Sequence, residues 1–307
     1  MPVAPRRIAS LLASGTELVC ALGLGERLVG RSHECDTPPW VTRLPVLSHP
    51  AFDVTGTSAE IDARVRERLR SGQPLYFVDE ALLTELAPDV LITQTHCEVC
   101  AIGPADLAHV IPRLDRKPVV ALDAGSIADI LDGFTRVAEV LGAADAGRAL
   151  VAEIRARLAS LTARTASLPR VPVACLEWID PPFAMGNWGP ELVEIAGGRS
   201  VLGRPGARST TTPWQAVVEA DPDVLVVAPC GFGVERTFAE MPALASRPGW
   251  SRLRAVRGGR VFVADGNLYF NRSGPLLFDT PGILAEMLHP AHFPPAHRGS
   301  IWRSLID

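Results

Sequence analysis

Nowhere does this 307-residue chain run apolar for the roughly 20 residues a membrane-spanning helix requires. Charge of one sign is scarce as well. Lys and Arg number 30 against 34 Asp and Glu, and the net charge of −4 offers nothing for nucleic acid or an anionic membrane to hold. The marks of common catalysts are missing. There is no Gly-x-Ser-x-Gly elbow, no Gly-x-x-x-x-Gly-Lys phosphate loop and no His-Glu-x-x-His helix. Gly231-Phe232-Gly233 is a short glycine pair common to loops, and the acids Glu34 and Asp36 read as solvated or capping groups. A soluble, non-enzymatic protein is expected.

An export signal is also wanting. Arg6-Arg7 precede Ile8–Leu12, and Leu18-Val19-Cys20 loosely resembles a lipoprotein cleavage site. The apolar run is broken after about five residues by Ser14-Gly15-Thr16-Glu17, short of the roughly 7–15 of a signal core. The expectation is a first strand and helix in a cytoplasmic protein, with a periplasmic or surface-anchored one as the alternative. In reducing cytosol the six cysteines read as thiols or metal ligands rather than structural disulfides. Cys20 and Cys175 lie in apolar patterns and read as buried thiols; Cys35, Cys97, Cys100 and Cys230 lie in loops that follow predicted strands.

What the chain does have is an internal repeat. Glu17-Leu18-Val19-Cys20-Ala21-Leu22-Gly23 is echoed by Glu191-Leu192-Val193-Glu194-Ile195-Ala196-Gly197-Gly198. Glu85-Leu86-Ala87-Pro88-Asp89-Val90-Leu91-Ile92 is echoed by Glu219-Ala220-Asp221-Pro222-Asp223-Val224-Leu225-Val226, each predicting a helix, a Pro-Asp turn and a buried strand. Short β-rich runs at Ile8–Leu12, Arg27–Arg31, Asp89–Thr93 and Pro118–Leu122 alternate with helical patterns at Thr16–Leu22, Ser58–Ser71, Asp79–Leu86 and Ile102–Ile111. Later strands are expected at Val171–Glu177, Asp223–Val227 and Arg260–Val263, with helices near Pro190–Ala196, Pro213–Ala220, Phe238–Ala243 and Pro275–Leu288. Such alternation predicts an α/β fold: two lobes, each with a central mostly parallel sheet flanked by helices. One long bridging helix joins them, drawn from the helical stretch Ser126 to Ser167 with its break at Leu141–Asp145. The expected division is an N-terminal lobe over 1–125, a bridging segment over 126–168, a C-terminal lobe over 169–289 and a tail over 290–307. The tail, rich in Pro, His and Arg, reads as a solvated, partly ordered terminus. Two lobes leave a cleft, and clefts bind ligands.

These residues resemble the helical-backbone (class III) substrate-binding proteins of ABC transporters, and within them the cobalamin-binding family. The resemblance is carried by Arg7-Ile8-Ala9-Ser10-Leu11-Leu12-Ala13-Ser14-Gly15-Thr16-Glu17, by Leu22-Gly23-Leu24-Gly25-Glu26-Arg27-Leu28-Val29-Gly30-Arg31-Ser32, and by His33-Glu34-Cys35-Asp36 followed by Pro38-Pro39. It extends over about 290 residues. It implies a cobalamin-like corrinoid between the lobes, held by the loops Ala13–Glu17, Ser32–Trp40, Gln94–Cys100, Trp178–Trp188, Pro229–Val234 and Gly266–Gly274. Family members that feed a transporter are exported and dock to a permease through acidic residues. Here Glu60, Glu235 and Glu240 match only by rough position, and without an export signal a cytoplasmic carrier is the expectation.

A flat corrinoid needs apolar faces and polar rim contacts. The loops supply Trp40, Phe52, Trp178, Phe183, Trp188, Phe232, Tyr269 and Phe270 for the first, and Ser14, Thr16, Gln94, Asn187, Asn267 and Asn271 for the second, with Arg272 for a phosphate or carboxylate. His33, Glu34, Cys35 and Cys97 complete the candidate ligand-binding set. The spacing Cys97-Glu98-Val99-Cys100 lets two sulfurs reach one metal, so His33, Cys35, Cys97 and Cys100 are an alternative Zn or Fe site, or a site for haem or an iron siderophore. An axial approach to bound cobalt, a Cys97–Cys100 disulfide and plain packing stay open as other uses.

Overall fold

The computed structural model describes residues 4–95, 102 and 117–306. Ile8–Ser10 (β1), Leu28–Ser32 (β2), Val46–Pro50 (β3), Tyr76–Val78 (β4), Val90–Gln94 (β5) and Val119–Leu122 (β6) form one sheet in the order β4-β3-β2-β1-β5-β6. All its pairings are parallel except β3 with the edge strand β4. Connecting these strands are the helices Ala13–Ala21 (α1), Ser58–Arg70 (α2) and Glu80–Leu86 (α3). Every residue of β1 and β5 is buried, as central parallel strands covered on both faces must be. Against one face pack Leu11, Leu47, Leu83 and Leu91.

Ile127–Val140 (α4) begins at Ser126, whose hydroxyl accepts the Asp129 N–H at 3.2 Å, and buries Ile127, Ile130, Leu131, Phe134 and Val137 at helical spacing. Gly142, at φ 72°, ends the run, and Ala144–Thr165 (α5) starts afresh, 22 residues or about 33 Å long.

A second sheet holds Val171–Trp178 (β7), Phe183–Ala184 (β8), Thr210–Thr211 (β10), Val224–Val227 (β11), Val261–Ala264 (β12) and Trp302–Ser304 (β13), in the order β10-β8-β7-β11-β12-β13. Gly198–Ser200 (β9) pairs with the start of β7. Its core is parallel and its edges antiparallel. Gly189–Ile195 (α6), Trp214–Ala220 (α7), Val234–Ala245 (α8), Arg254–Arg257 (α9) and Thr280–Leu288 (α10) complete the helices of this half. Leu176, Val217, Leu225, Leu244 and Trp250 lie in its core.

The chain divides into two compact units. One comprises 1–55, 63–153 and 273–275; the other comprises 56–62, 154–272 and 276–307. The boundary falls inside α5, so this helix carries the chain from the first unit into the second. Each unit also holds a short piece of chain from elsewhere in the sequence: 56–62 groups with the second and 273–275 with the first.

The repeat seen in the sequence is a repeat of topology. β1 lies beside β5 and β5 beside β6; β7 lies beside β11 and β11 beside β12, all parallel. The Asp89 N–H bonds the carbonyl of Arg7 at 2.8 Å, as that of Asp223 bonds Pro172 at 2.9 Å. The helix before each closes on a left-handed residue followed by proline, Ala87 at φ 42° and Asp221 at φ 37°.

Within the tail, 294–296 and 298–300 are exposed as the sequence reading expects, but Phe293 and the strand Trp302–Ser304 depart from it. Trp302 is 3% exposed and sits edge-on to Phe262 at 5.3 Å, while β13 pairs antiparallel with β12. The buried Glu286 carboxylate accepts the Trp302 indole N–H at 3.0 Å and the His297 N–H at 3.1 Å. A large aromatic side chain and a satisfied buried carboxylate outweigh the polar composition around them.

Candidate functional site

In the first unit the predicted residues gather at the carboxyl ends of β1, β2 and β5. Ser14 and Thr16 occupy the first turn of α1, which Gly15 allows close to β5: a Cβ there would lie 2.7 Å from Ile92. The Thr16 hydroxyl donates to Cys35 Sγ at 3.0 Å, and both are buried. Ser14 Oγ stands 3.3 Å from Ser273 Oγ. Gln94 ends β5, fully buried. Six polar side chains sit at these strand ends without exposure to speak of: Ser10, Ser14, Thr16, Ser32, Thr93 and Gln94. Several bond the local backbone, Ser10 to the Leu12 carbonyl at 2.8 Å and Thr93 to that of Ile102.

Two residues that sequence reasoning missed, Arg31 and Ser48, set the β2 loop. The Arg31 guanidinium donates to the carbonyls of Ser32 at 2.9 Å, Cys35 at 3.2 Å and Thr42 at 3.0 Å, binding residues 32–42 into one piece. Ser48, on a strand the sequence did not announce, offers its carbonyl to His33 twice: to the backbone N–H at 3.2 Å and to Nδ1 at 3.1 Å. A carbonyl only accepts, so Nδ1 carries the hydrogen and Nε2 keeps its lone pair. Burial holds the imidazole neutral, lowering its pKa to about 4. The His33 ring tilts over Tyr76 at 5.5 Å, and the Glu34 carboxylate is 4.0 Å from Nε2. Trp40, 41% exposed, lies in a 3-10 turn (Pro39–Arg43) over Gly25, where a Cβ would come within 2.9 Å of the indole.

In the second unit the loops after β7, β11 and β12 carry the candidates. Trp178 ends β7; its indole N–H donates to the Ser58 carbonyl at 3.2 Å, and its ring meets Phe232 at 5.2 Å. Arg236 lays its guanidinium 3.6 Å over Phe232 and donates to the Gly56 carbonyl at 3.0 Å. Phe232 and Trp188 are buried, and the Trp188 indole donates to the Phe270 carbonyl at 3.1 Å. Phe183 and Tyr269 are half-buried. Gly266 passes so close to the Pro229 carbonyl that a Cβ would sit 2.1 Å away. Behind it Asn271 holds the Ala228 and Gly266 carbonyls at 2.8 and 2.9 Å, and Arg272 donates to Asn267 Oδ1 at 2.8 Å. Of the acidic candidates for docking, Glu60 caps its own helix through Thr57, Glu240 accepts the Ser58 N–H, and Glu235 is exposed beside Arg303.

Cys97 and Cys100 lie outside the described residues. Among the described residues no group of three or more His, Cys, Asp or Glu could hold a metal ion, and the metal-binding reading gains no support. No helix among them is long and apolar enough to cross a membrane.

A family model described as periplasmic binding protein matches residues 8–268. The chain is 25% identical over 297 residues to the uncharacterized ABC transporter substrate-binding lipoprotein YvrC of Bacillus subtilis, covering 94% of this chain and 82% of that protein. Among solved structures it is similar to a periplasmic heme-binding protein from Pseudomonas aeruginosa, at 22% identity and TM-score 0.71 with 94% of both chains covered. It is similar too to the periplasmic vitamin B12-binding protein BtuF of Vibrio cholerae, at 19% identity and TM-score 0.67, covering 94% of this chain and 99% of that one. The fold is theirs, and it is a binding protein's fold rather than an enzyme's.

These matches overturn the cytoplasmic expectation, because the relatives are periplasmic proteins or a lipoprotein. The stretch from Ile8 to Cys20 forms β1 and most of α1, part of the first unit. Its lack of signal character therefore says nothing about export.

Proposed function

Since the chain belongs to the periplasmic binding protein family, we propose that it captures a cobalamin-like corrinoid for an ABC-transporter permease. The observation that carries this is the set of buried polar side chains at the carboxyl ends of β1, β2 and β5. Buried polar groups are costly unless bonded, and open α/β sheets bind ligands at this end of their strands. Ser10, Ser32 and Thr93 bond nearby backbone and Thr16 bonds Cys35, which holds the loops still before any ligand arrives and reduces the ordering cost of binding. A corrinoid's rim of amide arms suits a polar, pre-shaped floor, and its flat face suits exposed aromatics. The incompletely buried candidates are His33, Glu34, Trp40 and Phe52 in the first unit, and Trp178, Phe183, Asn187, Asn267, Tyr269, Asn271 and Arg272 in the second.

The test is titration of the purified protein with cyanocobalamin, aquocobalamin, ferric haem and a ferric siderophore, followed by tryptophan fluorescence and calorimetry. Saturable corrinoid binding in preference to the others is expected. Preference for haem or siderophore would transfer the chain to that ligand class, and no corrinoid binding at tens of micromolar would sink the proposal.

A further inference from the structure

We propose that Nε2 of His33 coordinates the metal at the centre of the bound macrocycle. This inference rests on the corrinoid reading and adds a bond to it. The Ser48 carbonyl takes both His33 hydrogens, backbone N–H at 3.2 Å and Nδ1–H at 3.1 Å, so one acceptor fixes the ring's position and its tautomer together. Metal-ligating imidazoles are oriented in this way, through a carbonyl on the other nitrogen. Tyr76 covers the ring at 5.5 Å, and Arg31 holds the flanking carbonyls of Ser32 and Cys35.

Among the described residues nothing bonds Nε2: the Glu34 carboxylate, at 4.0 Å, is beyond hydrogen-bonding distance. The His33 side chain keeps 22% of its surface open to solvent. The neighbouring thiol is a poorer candidate, since Cys35 is 1% exposed and its sulfur accepts the Thr16 hydroxyl. The bond-forming step is simple ligand exchange. The Nε2 lone pair fills one coordination position of Co(III), a neutral water leaves it, and neither the oxidation state nor any protein proton changes.

Cobinamide, which lacks the nucleotide base, is the informative probe. The corrin ring supplies four nitrogens to its cobalt, so any further nitrogen comes from the protein. In the wild-type complex, reduced to Co(II), the EPR spectrum is expected to show nitrogen superhyperfine splitting. His33→Ala should abolish the splitting and weaken cobinamide binding about tenfold or more, added imidazole should restore the splitting, and His49→Ala should change nothing. The circular dichroism and urea unfolding of the His33→Ala protein show that the fold survives, and cyanocobalamin binding is measured on the wild-type protein. Splitting absent from a wild-type complex, or retained in His33→Ala, overturns the coordination and leaves the capture reading standing. Failure of the wild-type protein to bind either corrinoid removes both.

Discussion

Glu240 receives the backbone N–H of Ser58 on both carboxylate oxygens, at 2.9 and 3.1 Å, across 182 positions of sequence. With Trp178 on the Ser58 carbonyl and Arg236 on that of Gly56, three side chains of the second unit hold the start of α2. A helix N-terminus leaves N–H groups without intrahelical partners, and here a distant carboxylate caps one of them. Glu240→Ala should destabilise the protein by about 0.5–2 kcal/mol in urea unfolding, the usual loss for a removed cap. Glu240→Gln should lose less, because one acceptor oxygen remains. Equal stability of all three proteins would show that the contact does not matter.

His33 predicts a pH dependence. Its folded pKa of about 4 lies below the unfolded value near 6.5, so between these values the unfolded chain binds more protons. Stability from this group is full above pH 6.5 and is lost as the pH falls toward 4. The cause is chiefly burial, with small additions from the nearby His49 and Arg31, opposed by the Ser48 hydrogen bond. The loss is of order 3 kcal/mol over that window. His33→Gln should flatten the difference between unfolding curves at pH 7 and pH 4.5; an unchanged difference would exclude His33 as its source.

The matched turns at Ala87 and Asp221 should respond in opposite directions. Both are left-handed, a conformation that costs an L-residue about 1–2 kcal/mol. Ala87→Gly relieves this strain and gives back about 0.4–1 kcal/mol through the unfolded chain, for a net gain of up to about 1 kcal/mol. Asp221→Gly relieves the same strain but removes a carboxylate that accepts the Arg254 N–H at 2.8 Å and its guanidinium at 3.0 Å. That variant should show a net loss of about 1 kcal/mol. Thermal melts of the two variants side by side decide the matter; a gain at both positions would discount the Asp221–Arg254 contacts.

The C-terminal segment is predicted to be structural. Trp302→Ala should cost about 3–5 kcal/mol, the range for a buried aromatic, and leaves Glu286 short of one donor. Removal of residues 296–307 should lower the melting temperature at least as far. A melt unaffected by either change would return this segment to the solvated tail its composition suggests.

Central parallel strands and their helices are legible because they have no choice of face. β5 is apolar over Val90–Ile92 and buried throughout, β11 is apolar along its whole length, and Asp79 and Ser126 cap α3 and α4. β3 escapes notice because Ser48-His49-Pro50 interrupts its apolar pattern, and it becomes a strand by pairing with β2 and β4. At the site, the residue types at the strand ends could be read, but not their partners. Trp188 and Phe232 look like stacking surfaces in sequence and are buried in the folded chain. Arg31 and Ser48 carry no motif; they matter through carbonyls that only the folded loop brings within reach.

What the amino-acid order alone determined is the doubled α/β pattern, because apolar periodicity and Pro-Asp turns act locally and recur in both halves. Tertiary structure decided which unit claims 56–62 and 273–275, that Trp302 is core, and which nitrogen of His33 carries the hydrogen. Each of these depends on a partner far away along the chain, and hydrogen bonding and burial are settled by distance in space rather than in sequence.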